Sequence, residues 1–217
     1  MVRAALGLME AVPRHLLLNF EELTDSFQKP LLDEKDIDED DEPFLYYSEL
    51  ALLIKNQGEK GIEFLLAQIQ KVDTARLVGI LFALTETPLK DLRLSELLLT
   101  YLQDSRSMVI AEAIDGLSRL GEKDTVDRVL ALLEHPSPYV RGSVLRFMAR
   151  LHPDRALPLL LQSLKDPHFI VRENAADELG DLEAVAAIPE LHQLLVDSHP
   201  DVRQAAQTAI EILELVP

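Results

Sequence analysis

Four stretches of the chain share one pattern at a fixed step. Their valines, Val109, Val140, Val171 and Val202, stand 31 residues apart. Around them run "QDSRSMVIAEAIDGLSRLG", "EHPSPYVRGSVLRFMARLH", "KDPHFIVRENAADELGDLE" and "DSHPDVRQAAQTAIEILEL". Four residues past each valine the column reads Ala113, Val144, Ala175 and Ala206; eight past, it reads Leu117, Met148, Leu179 and Ile210. Apolar residues at i, i+4 and i+8 lie on one face of a helix. Turn-formers precede each of these helices, "DSRS", "HPSP", "DPHF" and "DSHP", and a proline there ends one helix yet suits the first turn of the next.

A second amphipathic segment precedes each turn: "LRLSELLLTYLQ", "TVDRVLALLE", "PDRALPLLLQSLK" and "AVAAIPELHQLLV". Each unit is therefore helix, tight turn, helix. One unit alone cannot bury its apolar face, so neighbours must stack. The pattern predicts an all-α fold, an α-solenoid of antiparallel helix pairs.

The unit resembles the HEAT repeat, in the short form of bacterial and archaeal proteins and of phycobilin lyases. The resemblance rests on an aspartate at the turn with an arginine six residues later, here Asp166 with Arg172 and Asp197 with Arg203. The unit before these keeps Arg141 but has His135 in the acid's place; the one before that keeps Asp104 but has Ile110 for the arginine. The resemblance implies a ladder of stacked side chains tying successive turns together, with Arg141 as a further member. It also implies that the second helices line a concave face.

Upstream the repeat fades. "GIEFLLAQIQKVDTARLVGILFALTET" reads as two helices broken at Val72–Asp73, with Asp73 as N-cap. "EPFLYYSELALLIKN" is one more helix, with Pro43 near its start, and "VPRHLLLNFEELTDSF" another, beginning at Pro13. The expected organisation is an N-terminal helical cap over 1–56 and one continuous domain of five helix pairs over 57–217. The pairs fall at 57–87, 88–121, 122–152, 153–182 and 183–217.

Composition narrows the function. The net charge of −17 repels phosphate backbones and anionic lipid, which argues against nucleic acid and membrane partners. The run "DEKDIDEDDE", at 33–42, holds eight of the acids. As an EF-hand counted from Asp36 it fails, with Asp41 where glycine and Tyr47 where an acid is required. It reads as a self-repelling linker, with a docking segment for a basic partner as the alternative. No cysteine is present, which removes disulfide, thiolate and zinc–cysteine chemistry. The apolar start is interrupted by Glu10, Pro13, Arg14 and His15 before it reaches the length of a signal core. A cytoplasmic protein is expected.

No constellation for catalysis stands out. The chain has no G-x-S-x-G and no phosphate-cradling glycine loop; Gly58 and Gly61 read as a helix stop and restart. His168 and His199 share a repeat column, but no carboxylate or cysteine completes a metal set beside them. Neither catalytic, cofactor nor metal residues are assigned.

The candidate binding residues lie on the second helices beside the core stripe. One column reads Asp115, Arg146, Asp177 and Thr208; the next reads Arg119, Arg150, Asp181 and Ile212. These form either inter-repeat ion pairs or a mixed-charge groove, with Phe147 as its apolar anchor. The expected function is a non-enzymatic scaffold that grips a protein along the concave face. The resemblance to phycobilin lyases implies the alternative, an enzyme or phycobilisome accessory factor acting on linear tetrapyrroles.

Overall fold

The computed structural model describes residues 18–29, 43–86 and 93–216. Among them are twelve α-helices and no strand. The helices fall into two compact units, Met1–Leu89 and Lys90–Pro217. The acidic run at 33–42 lies outside the described residues.

The first unit holds α1 (Phe20–Gln28), α2 (Pro43–Lys55), α3 (Glu59–Gln68) and α4 (Thr74–Glu86). Helix α1 starts at Phe20, and the expected helix start at Pro13 lies outside the described residues. Asn19 caps it by accepting the N–H groups of Glu21 and Glu22, while Glu22 returns a bond to the Asn19 N–H. Asp73 caps α4, its Oδ1 accepting the Arg76 N–H at 3.0 Å. Gly58 ends the preceding turn with φ of 81°. Gly61 belongs to the restart. It lies inside α3, where a Cβ would come within 1.9 Å of the Ile54 carbonyl oxygen. Gly79 plays the same part between α2 and α4, with Tyr47 backbone 2.7 Å from any added Cβ. These two glycines let the helix backbones touch.

Arg76 ties this unit together. Its guanidinium donates to the Phe27 and Lys29 carbonyls at 2.7 and 2.6 Å, capping the end of α1, and lies over the Tyr47 ring. The Tyr47 hydroxyl donates to the same Lys29 carbonyl. Phe20, Phe27 and Phe64 fill the space beneath with edge-to-face contacts.

The second unit is an α-solenoid of four pairs: α5 (Arg93–Tyr101) with α6 (Ser107–Leu120), α7 (Val126–Leu130) with α8 (Pro138–Leu151), α9 (Pro153–Ser163) with α10 (Phe169–Asp181), and α11 (Ile188–Leu194) with α12 (Pro200–Leu213). The second helices, α6, α8, α10 and α12, pack side by side. The valine column and the columns four and eight residues beyond it are buried throughout. Pro138 and Pro200 open their helices as the first residue. Helix α7 is shorter than its sequence segment: a 3₁₀ turn, Lys123–Thr125, leads into it, and three-residue hydrogen bonds replace the α pattern after Leu130.

Candidate binding face and the turn ladder

Along the edge formed by the turns, each unit repeats one device. The side chain at the aspartate column accepts the backbone N–H two residues on: Asp104 from Arg106, Asp166 from His168 and Asp197 from His199, each at 2.8 Å. His135 does the same through Nδ1 at 3.1 Å. This is the Asx-turn geometry that suits aspartate to the position.

The arginine six residues on does not reach the carboxylate of its own unit. It donates instead to that residue's backbone carbonyl, Arg172 to Asp166 at 2.9 Å and Arg203 to Asp197 at 2.7 Å. The rest of the fork crosses to the next unit. Arg141 grips Asp166 with Nε and Nη2 at 2.9 and 2.7 Å, and Arg172 grips Asp197 with both at 2.8 Å. Bidentate forks of this kind are among the strongest protein hydrogen bonds. The Arg172 fork and the His199 N–H hold the Asp197 carboxyl below its usual range. Burial pushes Asp166 upward, but Arg141 and the His168 N–H outweigh it and the carboxyl is lowered.

The second-helix face is built from the same residue types in another proportion. Arg146, expected as a contact for a partner, is a strut inside this face. It donates to both Asp115 oxygens, at 2.7 and 3.3 Å, to Ser143 Oγ at 2.8 Å and to Asn174 Oδ1, bridging α6, α8 and α10. Ser143 donates to Asp115 as well, at 3.0 Å. Arg119 is engaged by Glu112. Phe147 is fully buried and offers no anchor, because the column seven residues past the valine faces the inside of the stack. Arg150, Asp177 and Asp181 remain exposed.

That inward column reads Gly116, Phe147, Glu178 and Ala209. Three members are buried, and Glu178 places a carboxylate among them, half-buried. No hydrogen bond or ion pair among the described residues reaches it. Burial drives its carboxyl up to about 7, with Asp181, Asp177 and Asp115 adding to the rise and Arg146 opposing it. Glu112 is pushed up to about 8, first by burial and then by Asp115, against the pull of Arg119. Asp177, although exposed, is raised by desolvation from the protein packed around it and by Asp181, and Glu173 by burial, Asp177 and Asp201.

Sequence reasoning missed Glu112, Ser143, Asn174, Glu173 and Glu178. For the first three a signal existed: they form one column three residues past the valine, polar in three units and alanine (Ala205) in the fourth. Among the described residues no group of three His, Cys, Asp or Glu is arranged to hold a metal ion. Nor is any helix among them long and apolar enough to cross a membrane.

Comparison with known proteins bears on the fold. Residues 126–211 match the HEAT repeats family. No curated protein matches the chain. Among solved structures, an engineered protein is similar over 91% of this chain and 97% of its own, at 19% identity and a TM-score of 0.53. The complex of CpcE and CpcF of phycocyanin lyase from Nostoc sp. PCC7120 is similar at 23% identity and a TM-score of 0.54, covering 72% of this chain and 66% of that one. A designed armadillo repeat protein in complex with the peptide (KR)4 is similar at 16% identity and a TM-score of 0.50, covering 90% of this chain and 100% of that one. At these identities the likeness is one of fold.

Proposed function

We propose that the chain, a HEAT-like repeat protein, is a non-enzymatic scaffold whose second-helix face in the 93–216 unit holds a lysine- and arginine-rich segment of a protein partner. One observation carries this reading: after Arg146 and Arg119 are engaged by Asp115 and Glu112, the face keeps Glu173, Asp177 and Asp181, with half-buried Glu178 at its inner edge, and among the described residues Arg150 is the exposed arginine left to offset them. Carboxylates held close together above their usual range are relieved when a cation enters among them. The (KR)4 peptide named with the designed armadillo protein supports the chemistry of the ligand, since both chains share a stacked-helix fold. Contacts spread over several repeats suit an extended segment, whose guanidinium or ammonium groups meet successive acids.

The test is a titration of fluorescently labelled (KR)4 peptide against the full chain, at two salt concentrations. Binding that weakens as salt rises is expected. A D177N/E178Q/D181N triple variant should lose at least tenfold in affinity at the lower salt, and R150E should gain. Unchanged affinity in the triple variant would overturn the assignment of this face.

The likeness to the CpcE–CpcF complex favours a second reading, handling of a linear tetrapyrrole. Co-expression with bilin synthesis decides between them. A coloured purified protein would favour the lyase-type reading, and a colourless one the scaffold.

A further inference from the structure

We infer that the stack of helix pairs in the 93–216 unit contains a compliant joint between α5–α6 and α7–α8, opening at the turn edge and hinged along the second helices. The two sides of the short helix α7 make the comparison.

On its α9 side, a cleft of about 490 Å³ separates the first helices. The Arg141–Asp166 fork spans this cleft and ties the two turns. On the α5 side a hollow of about 540 Å³ runs along the first helices, between Glu96, Leu99, Thr100, Gln103 and Arg128, and does not include the turn positions. Among the described residues no arginine–carboxylate fork ties the two turns at this boundary. The arginine position is Ile110, which is buried, and the aspartate position is His135, whose Nδ1 accepts the Ser137 N–H. Both halves of the rung are missing together. Asp104 turns to Arg106 in its own turn, at 2.9 Å.

The opposite edge and the second-helix layer hold fast at this same boundary. Ser95 donates to Glu122, and Arg146 and Ser143 of α8 both bond Asp115 of α6. A boundary fixed on one side and open on the other rocks about the fixed side. Opening the turn edge therefore changes the angle between α6 and α8 while the Asp115–Arg146 pair persists. It adapts the second-helix face to what lies on it.

Local openings of this kind are read by hydrogen exchange. The probes are matched amides, each bonded to the side chain two residues before it: Arg106 and Ser137 flanking the joint, and His168 at the tied boundary. After correction for intrinsic rates, the first two should exchange about tenfold faster than the third in the wild-type chain. The variant I110R/H135D installs the missing rung and should slow them about tenfold, whereas each single change should not. Exchange equal within a factor of two at all three amides in the wild type would overturn the joint. So would a double variant equal to the sum of its singles. Should the double variant not fold, R141Q supplies the converse: His168 exchange should rise toward the Ser137 value, and its failure to rise sinks the inference.

Discussion

The turn edge and the second-helix face use the same residue types to opposite ends. At the edge each gripped aspartate receives a two-pronged arginine and a backbone N–H, and its carboxyl falls below the usual range. On the face, acids outnumber arginines, and Glu112, Glu173, Asp177 and Glu178 are all raised. The chemistry of a carboxylate here is set by its column in the repeat and by how many cations share it. One-to-one pairing makes a structural ladder. Surplus leaves carboxyls raised above their usual range.

The largest expected effect lies at the edge. R172A leaves the Asp197 carboxylate, whose side chain is 10% exposed, without its partner. Removing one member of a buried pair costs about 3–5 kcal/mol. Urea unfolding measures it; a loss below about 1 kcal/mol would mean that the rung is no more structural than a surface pair.

R146M comes next. The Asp115–Arg146 side chains keep 21% and 29% exposure, so water replaces part of what is lost. A destabilisation of about 1–3 kcal/mol is expected from the unmet hydrogen bonds of Asp115, Ser143 and Asn174. If it equals or exceeds R172A in the same unfolding assay, the contrast between edge and face fails.

The pH dependence separates the two regions by sign. A carboxyl raised by folding destabilises as it ionises, so the Glu178 penalty sets in above the ordinary glutamate value of about 4.3 and is complete above about 7. Asp166 and Asp197, lowered by folding, contribute fully above the ordinary aspartate value of about 3.9 and lose that contribution as pH falls through their folded values. Wild-type stability should therefore peak between these windows. E178Q should be more stable than wild type at pH 8, with a flatter slope from about pH 4.5 to 7. Thermal unfolding across pH checks this, and an unchanged slope would remove Glu178 from the account.

The smallest effect belongs to R150A. Arg150 is exposed, and stability should stay within about 0.5 kcal/mol of wild type in the same assay.

Much of the second unit was legible in the sequence because its core is periodic. The valine column and its i+4 and i+8 companions are apolar in every unit and are buried in every unit. The ladder residues were legible as residue types. That they tie successive turns was implied by the resemblance and is seen in the forks; which atoms pair was not legible, because one spacing serves both the bond to the unit's own carbonyl and the fork to the next unit's carboxylate. Phe147 was misread for the same reason that Glu178 was overlooked: they share a column, and only packing shows that it points inward. Arg146 stands in a column of mixed charge, and the neighbours that use its donors lie 28 and 31 residues away on other helices. The stop and restart around Gly58 and Gly61 are observed, but the packing role of Gly61 was not legible, because a close backbone crossing leaves no other mark in sequence than the missing side chain.

The fork geometry also sets the length by which such a chain can grow or shrink. Arg141 and Asp166 are 25 residues apart, as are Arg172 and Asp197. Excising residues 142–172, one full repeat, would set Arg141 at that same distance before Asp197. The shortened chain regains a complete fork at the splice, with no charge stranded. Removal of any length that is not a whole repeat leaves a guanidinium facing the wrong residue. In a gene, the ladder acts as a reading of modular length, tolerating loss or duplication by whole units and penalising every other indel between those turns.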